Sequence, residues 1–469
     1  MRWRTTAILL LITIGLGAYV SLYELRRPTR EEHDALTKQV LSVAPETVTR
    51  LTLQTSKGRV EVEHSDRGWR LAPQALRADE SRIASLLDQL SPLSAQRVLA
   101  GTPQKPLDYA AFGLAPEQGS LTVLAGGRST SLLFGDATPV GQSRYAKRVD
   151  RPEVYVIPAS VYDELDVPVG EFRDPSLISI KGWTVHALAI QGTAMPFALA
   201  RRGDAWQLTA PREDRADRGE VTTLVNRVGG LRIARFVDDT PQVERLADWG
   251  FDHPKAELRV ALEDLPATVT VFFGAPLPDA AGMLYAKRSD EPALYAVAGS
   301  DVEALLVDPH TLRSKACFEF FTSQVTKADL RNGQTHWTAV KQEGQWKADP
   351  GGTPLDAGRV EDFLSTAADL RLGGFVDDAA VDLPRYGLNP PQGAVTVWTA
   401  GAEAPQRLLI GAAAPKASGR YGQIEGRSAI VRLPEAVGKL LDTTLDALRP
   451  ADGGAGAPAP SATVPHASR

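Results

Sequence analysis

Cysteine is almost missing from this chain: Cys317 is the only one in 469 residues. A single cysteine excludes an internal disulfide and any metal site built from several thiolates. Its neighbours Phe318 and Phe320 point to a small buried hydrophobe. So low a count suits an oxidising compartment without requiring one. A dominant charge is missing as well. Lys and Arg number 52 against 57 Asp and Glu, a net charge of -5. That balance leaves no polycationic footprint, and no helix-turn-helix or zinc-finger pattern occurs, so no nucleic acid partner is expected. Histidine is scarce. His33, His64, His186, His253, His310, His336 and His466 are scattered, none four residues from another, so no metal centre and no other cofactor are expected. No Gly-x-Ser-x-Gly elbow, Walker-type loop or His-Glu-x-x-His helix is present. No catalytic residue can be named, and the reading is of a protein that is not an enzyme.

Long apolar runs are missing too, with one exception. Thr5–Tyr23 is an uncharged stretch of 19 residues, and as a helix it would span roughly 28 Å, close to a bilayer core. It predicts a transmembrane anchor over residues 5–23, with residues 1–4 in the cytoplasm and the membrane bilayer as a partner. A cleaved signal peptide is the competing reading. Residues 24–46 read as a charged juxtamembrane segment. At the other end, residues 450–469 are Gly, Ala, Pro and Ser with little to bury, and read as a disordered tail.

What is present is a pattern written three times. Trp69, Trp206 and Trp346 lie 137 and 140 residues apart and each follows a short polar turn. After each comes an Asp and then an apolar stripe at i, i+3, i+4, i+7: Ile83, Leu86, Leu87 and Leu90 after Asp79; Val221, Leu224, Val225 and Val228 after Asp217; Val360, Phe363, Leu364 and Ala367 after Asp356. That spacing predicts one amphipathic helix per copy, with the Asp carboxylate accepting from free N–H groups at its start. Downstream, Phe112-Gly113-Leu114, Trp249-Gly250-Phe251 and Tyr386-Gly387-Leu388 repeat, followed by Phe134-Gly135, Phe273-Gly274 and Ile410-Gly411. Short strands flank the helix, with hairpin turns at Ser56-Lys57-Gly58 and Ala125-Gly126-Gly127-Arg128. A second short helix closes each copy near Ala159–Leu165, Asp301–Leu306 and Glu435–Leu441. The fold class expected is therefore α+β: three tandem copies of a mainly antiparallel sheet with one principal amphipathic helix each, after a single N-terminal transmembrane helix. The copies span residues 47–175, 183–313 and 325–449. The second linker carries Phe318, Phe320 and Phe321 and reads as packed.

Two patterns invite a functional reading. Tyr145-Ala146-Lys147-Arg148 matches Tyr285-Ala286-Lys287-Arg288, whereas the third copy reads Tyr421-Gly422-Gln423-Ile424. A Tyr and a Lys on one strand face can hold a sugar or an anion by stacking and a charged hydrogen bond, so Tyr145, Lys147, Arg148, Tyr285, Lys287 and Arg288 are the candidate binding residues. The competing reading is a solvated strand whose charges cover its edge. The second pattern is Phe-Val followed by Asp238-Asp239 and by Asp377-Asp378. Paired acids can do general acid–base work across a cleft. Here they recur with the repeat and are replaced by Val98-Leu99-Ala100-Gly101 in the first copy, which favours a strand or turn end.

The order Gly-Trp, helix, aromatic-Gly-Leu, Phe-Gly, Tyr-x-Lys-Arg and Val-Tyr resembles the bacterial domain of unknown function 4340 family over about residues 48–450. The third copy departs at Ile410, Gly422 and Ile424. The resemblance carries over no catalytic residues. It implies an envelope protein in the bacterial inner membrane, single-pass, with the bulk of the chain periplasmic. Family members stand beside gliding-type transport systems, which implies a permease and an ATP-binding subunit as partners. The function expected is a non-enzymatic scaffold or accessory subunit of a membrane transport system. An envelope glycan or anionic-polymer binding module is the alternative.

Overall fold

The computed structural model describes residues 35–450, apart from 67, 140, 181–183, 264–267, 379–380 and 415–418. The first repeat carries β1 (Gln39–Leu41), β2 (Val48–Thr55), β3 (Gly58–Ser65), β4 (Gly68–Leu71), β5 (Leu76–Arg77), β6 (Leu93–Ser94), β7 (Arg97–Leu99), β8 (Gly119–Ala125), β9 (Arg128–Ala137), β10 (Ser143–Arg148) and β11 (Val154–Pro158). Nine of these form one antiparallel sheet in the order β5-β4-β3-β2-β8-β9-β10-β11-β7, while β1 pairs with β6 apart from it. Alternation sets the register. Leu51 and Leu53 of β2 and Val60 and Val62 of β3 are buried, while Arg50 and Gln54, which bracket the two leucines, are exposed.

Helix α1 (Glu80–Leu90) lies where the spacing places it. Asp79 is its N-cap, its carboxylate accepting from the Arg82 N–H at 3.0 Å. The buried stripe is Ile83, Leu86, Leu87 and Leu90, and it shares one apolar interior with Leu51, Val60 and Leu121 of the sheet. The short α2 (Ser160–Leu165) closes the repeat. In the second repeat the helices are α3 (Arg218–Gly230) and α4 (Gly299–Glu303), and in the third α5 (Ala357–Ala368) and α6 (Ala436–Leu441). The second sheet has nine strands and the third eight, in the order of the first. In the third, Trp337 of the sheet meets Phe363 of α5 edge to face at 5.0 Å.

The two glycine signatures are one contact seen from both sides. Gly113, Gly250 and Gly387 end 3-10 turns at φ of 64°, 76° and 66°, a region in which glycine alone is unstrained. The strand glycines Gly135, Gly274 and Gly411 pass so close beneath that a Cβ would sit 2.2, 2.1 and 2.2 Å from the carbonyl oxygens of Phe112, Trp249 and Tyr386. Each aromatic turn is thus seated on bare backbone.

The expected architecture needs correcting. Among the described residues there are four sheets rather than three, because β1 and β6 stand apart, and strands outweigh helices. The helices are minor elements beside antiparallel sheets of eight or nine strands. The membrane-spanning helix is also not supported. Among the described residues no helix is long and apolar enough to cross a membrane. The longest described helix, α3, has 13 residues, about 20 Å at 1.5 Å per residue against a hydrocarbon core of about 30 Å. The run at residues 5–23 and the tail from residue 451 lie outside the described residues. Single-pass placement in the inner membrane is therefore withdrawn.

Two compact units result. One comprises the first repeat with Thr223–Val307, and the other Phe197–Thr222 with the third repeat.

Candidate functional site

The Tyr-x-Lys-Arg residues sit on one strand of each repeat, β10 in the first and Met283–Arg288 in the second. Alternation puts Ala146 and Ala286 in the core and turns the Tyr and Lys to the opposite face. There Tyr145 meets Phe112 edge to face at 4.9 Å, and Tyr285 meets Trp249 at 6.3 Å. The same pairing persists in the third repeat, Tyr421 with Tyr386 at 5.0 Å. So the tyrosine packs on the aromatic of the glycine turn. Lys147 donates from Nζ to the Arg148 carbonyl at 2.9 Å and stands 5.1 Å from the Tyr109 ring. Lys287 donates to the carbonyls of Arg288 and Glu291, each at 3.1 Å, and burial pushes its ammonium below the usual lysine range.

The two arginines face the other way. Arg148 forks onto Asp150 at 2.9 and 2.6 Å. Its hydrogen bond holds the Asp150 carboxyl below the usual carboxylate range. Arg288 forks onto Asp290 at 2.9 and 2.7 Å. Burial works against ionising Asp290, but the Arg288 hydrogen bond outweighs it and keeps that carboxyl low. Each arginine also reaches the segment that leads into its repeat: Arg148 Nη1 donates to the Val40 carbonyl at 3.4 Å, and Arg288 Nη1 to the Leu177 carbonyl at 2.6 Å. Tyr145, Lys147 and Arg148, and likewise Tyr285, Lys287 and Arg288, thus have contacts within the chain on both faces of their strand.

The Phe-Val-Asp-Asp element holds the preceding repeat. Arg173, at the end of the first repeat, pairs with Asp239 at 2.6 Å and lies 3.7 Å over the Phe236 ring. Arg313, at the end of the second, pairs with Asp378 at 2.7 Å and lies 3.5 Å over the Phe375 ring. A planar guanidinium suits both contacts at once, stacking on the ring while its edge meets the carboxylate. In the first copy Val98-Leu99-Ala100-Gly101 replaces the element.

Behind each clamp lies a buried charge cluster. In the first, Arg77 of β5 donates from Nε to Glu291 at 2.6 Å, from Nη2 to the Ser176 carbonyl at 2.7 Å, and pairs with Asp174. Glu291, only 6% exposed, also accepts from the Tyr295 hydroxyl. Burial, then Glu291, pushes the Tyr295 phenol up. In the second, Asp214 accepts from Arg313 Nε at 2.6 Å and from Arg427 Nη2 at 2.9 Å, and its other oxygen lies 2.6 Å from Arg427 Nε. Arg427 Nη1 donates to the Ser314 carbonyl at 3.1 Å. Burial disfavours the Asp214 carboxylate, but Arg427 and then Arg313 reverse this and hold it below the usual range. A carboxylate so held is a poor proton donor near neutrality and a strong anchor for guanidinium groups. Cys317, beside this cluster in sequence, is 1% exposed, and burial pushes its thiol up to about 12.

Sequence reasoning did not reach Arg77, Asp214, Glu291, Arg313 or Arg427. A signal was available, since Arg173 and Arg313 stand at one repeat position, each ahead of an acid pair. Among the described residues, no group of three or more His, Cys, Asp or Glu is placed to hold a metal ion.

A family model described as a domain of unknown function, DUF4340, matches residues 18–110, 69–242, 206–351 and 346–452. No curated protein and no solved structure matches the chain.

Proposed function

The chain belongs to the DUF4340 family, and on that premise we propose that it is a non-enzymatic scaffold whose repeats are joined through buried charges and present surfaces to protein partners. The observation that carries this reading is the use of the buried charges. Arg77, Arg173, Glu291, Asp214, Arg313 and Arg427 pair with one another or with the clamp acids, joining repeats instead of facing a substrate. The family resemblance adds the kind of partner: a permease and an ATP-binding subunit of a membrane transport system, to which the scaffold is an accessory. The alternative, a module that binds an envelope glycan or anionic polymer through Tyr145, Lys147, Tyr285 and Lys287, has less support. Both ammonium groups already donate to backbone carbonyls. The deciding experiment is a mild-detergent pull-down of the full-length protein from its native cells, with co-purifying proteins identified. Permease and ATP-binding subunits in a fixed ratio are expected. Recovery alone overturns the accessory role. Recovery with cell-wall polymer that is lost on changing both lysines to Ala establishes the alternative.

A further inference from the structure

At the two junctions one position of the repeat carries opposite charges. Glu291 and Arg427 occupy one position of the repeat. Lys287 pairs across to Leu294 and Gln423 to Ile430, so six residues lie between the paired positions in each case. Lys287 donates to the Glu291 carbonyl as Gln423 donates to the Arg427 carbonyl. From this position each side chain enters the buried junction with the repeat before it. Glu291 takes Arg77, and Arg427 takes Asp214. Arg77 and Asp214 come from the same two-residue edge strand of successive repeats, Leu76–Arg77 and Asp214–Arg215, at neighbouring positions: by register Arg77 matches Arg215 and Asp214 matches Leu76. The companions change to match. Arg288 and Asp290, which precede Glu291, become Ile424 and Gly426 before Arg427. In the first repeat the position is Arg151 and is exposed.

We infer that residues 291 and 427 are the specificity determinants of repeat order, each admitting its own preceding repeat and rejecting the other's. An arginine at 291 would face Arg77, Arg70 and Arg288, and a glutamate at 427 would face Asp214. Like charges this deeply buried cannot be relieved by solvent, so the wrong order is penalised more strongly than the right order is favoured. The inference does not depend on the identity of any partner of the scaffold.

The test uses the full-length chain and hydrogen exchange at two amides that report the junctions. The Asp174 N–H donates to the Arg77 carbonyl, and the Ser314 N–H to the Arg215 carbonyl. The exchange variant Glu291→Arg/Arg427→Glu keeps net charge and composition unchanged. Both amides are expected to exchange at least tenfold faster, while the helices Glu80–Leu90 and Ala357–Ala368 stay protected. Arg427→Gln, which removes the charge without opposing Asp214, is expected to loosen Ser314 at least threefold less than Arg427→Glu. Wild-type protection in the exchange variant overturns the inference, and so does equal loosening by the Gln and Glu variants. If the exchange variant does not fold, Glu291→Gln and Arg427→Gln decide the matter. Each is expected to loosen its own junction and not the other, and loosening of both together overturns the inference.

Discussion

Asp214 shows how much one side chain is asked to do. It accepts from two guanidinium groups at 8% exposure, and they hold its carboxyl below the usual range against the opposing effect of burial. The consequence for stability has a definite sign. The unfolded carboxyl titrates near about 3.9, and the folded one lies lower. The stabilisation is therefore complete above the unfolded value and is lost as pH falls through the folded value. Removing one partner of a buried pair leaves charge uncompensated, at a cost of about 3–5 kcal/mol. Asp214→Asn is expected to show a cost of that order at neutral pH in urea unfolding followed by tryptophan fluorescence. The gap between variant and parent should close steadily in acid, below the unfolded value, where the parent's carboxyl is itself protonated. A gap independent of pH would mean that Asp214 acts through packing and not through its charge.

At the scale of the element, the helices and the clamps differ in how they are encoded. Each helix carries its own instructions: an Asp, then apolar residues at 3.6-residue spacing. Asp79 and Asp356 cap α1 and α5 by accepting from the N–H three residues on, both at 3.0 Å. Asp79→Ala and Asp356→Ala are each expected to cost about 1 kcal/mol, read as a shift in urea midpoint. A loss several times larger would mean that the cap also secures the linker carbonyls of Phe172 and Leu448, which accept from the N–H groups of these two residues. Such local signals made the helices, their buried stripes and the hairpin turns legible in the sequence. The acid pairs were legible only in part. Their absence from the first repeat marked them as structural, but nothing local shows that Phe236 and Asp239 receive Arg173 from 66 residues away. The Tyr-x-Lys-Arg strand was legible as a strand, with Tyr and Lys on one face. The partners of its arginine, Asp290 and the Leu177 carbonyl, belong to a turn and a linker. Such partners are defined by topology, which alternation and spacing do not report.

Across the whole molecule the same distinction governs the response to salt. A composition of 52 basic and 57 acidic residues gives no hint that a few pairs are unlike the rest. Pairs such as Arg50–Glu63 and Arg235–Asp279 are about half exposed, and exposed pairs contribute about 0–1 kcal/mol and are screened by added salt. The junction pairs, Arg77–Glu291 with side chains 12% and 5% exposed and Asp214–Arg427 with both at 4%, are out of reach of that screening. Raising sodium chloride from low ionic strength to molar levels is therefore expected to leave exchange at the Asp174 and Ser314 amides unchanged within about twofold. The same change should relax strand ends held by surface pairs, such as that at Arg50–Glu63. If the junction amides loosened with salt to the same extent, the clusters would have to be open to water. The charge inversion between junctions could then no longer reject a misplaced repeat, because solvent would relieve the like charges on which that rejection depends.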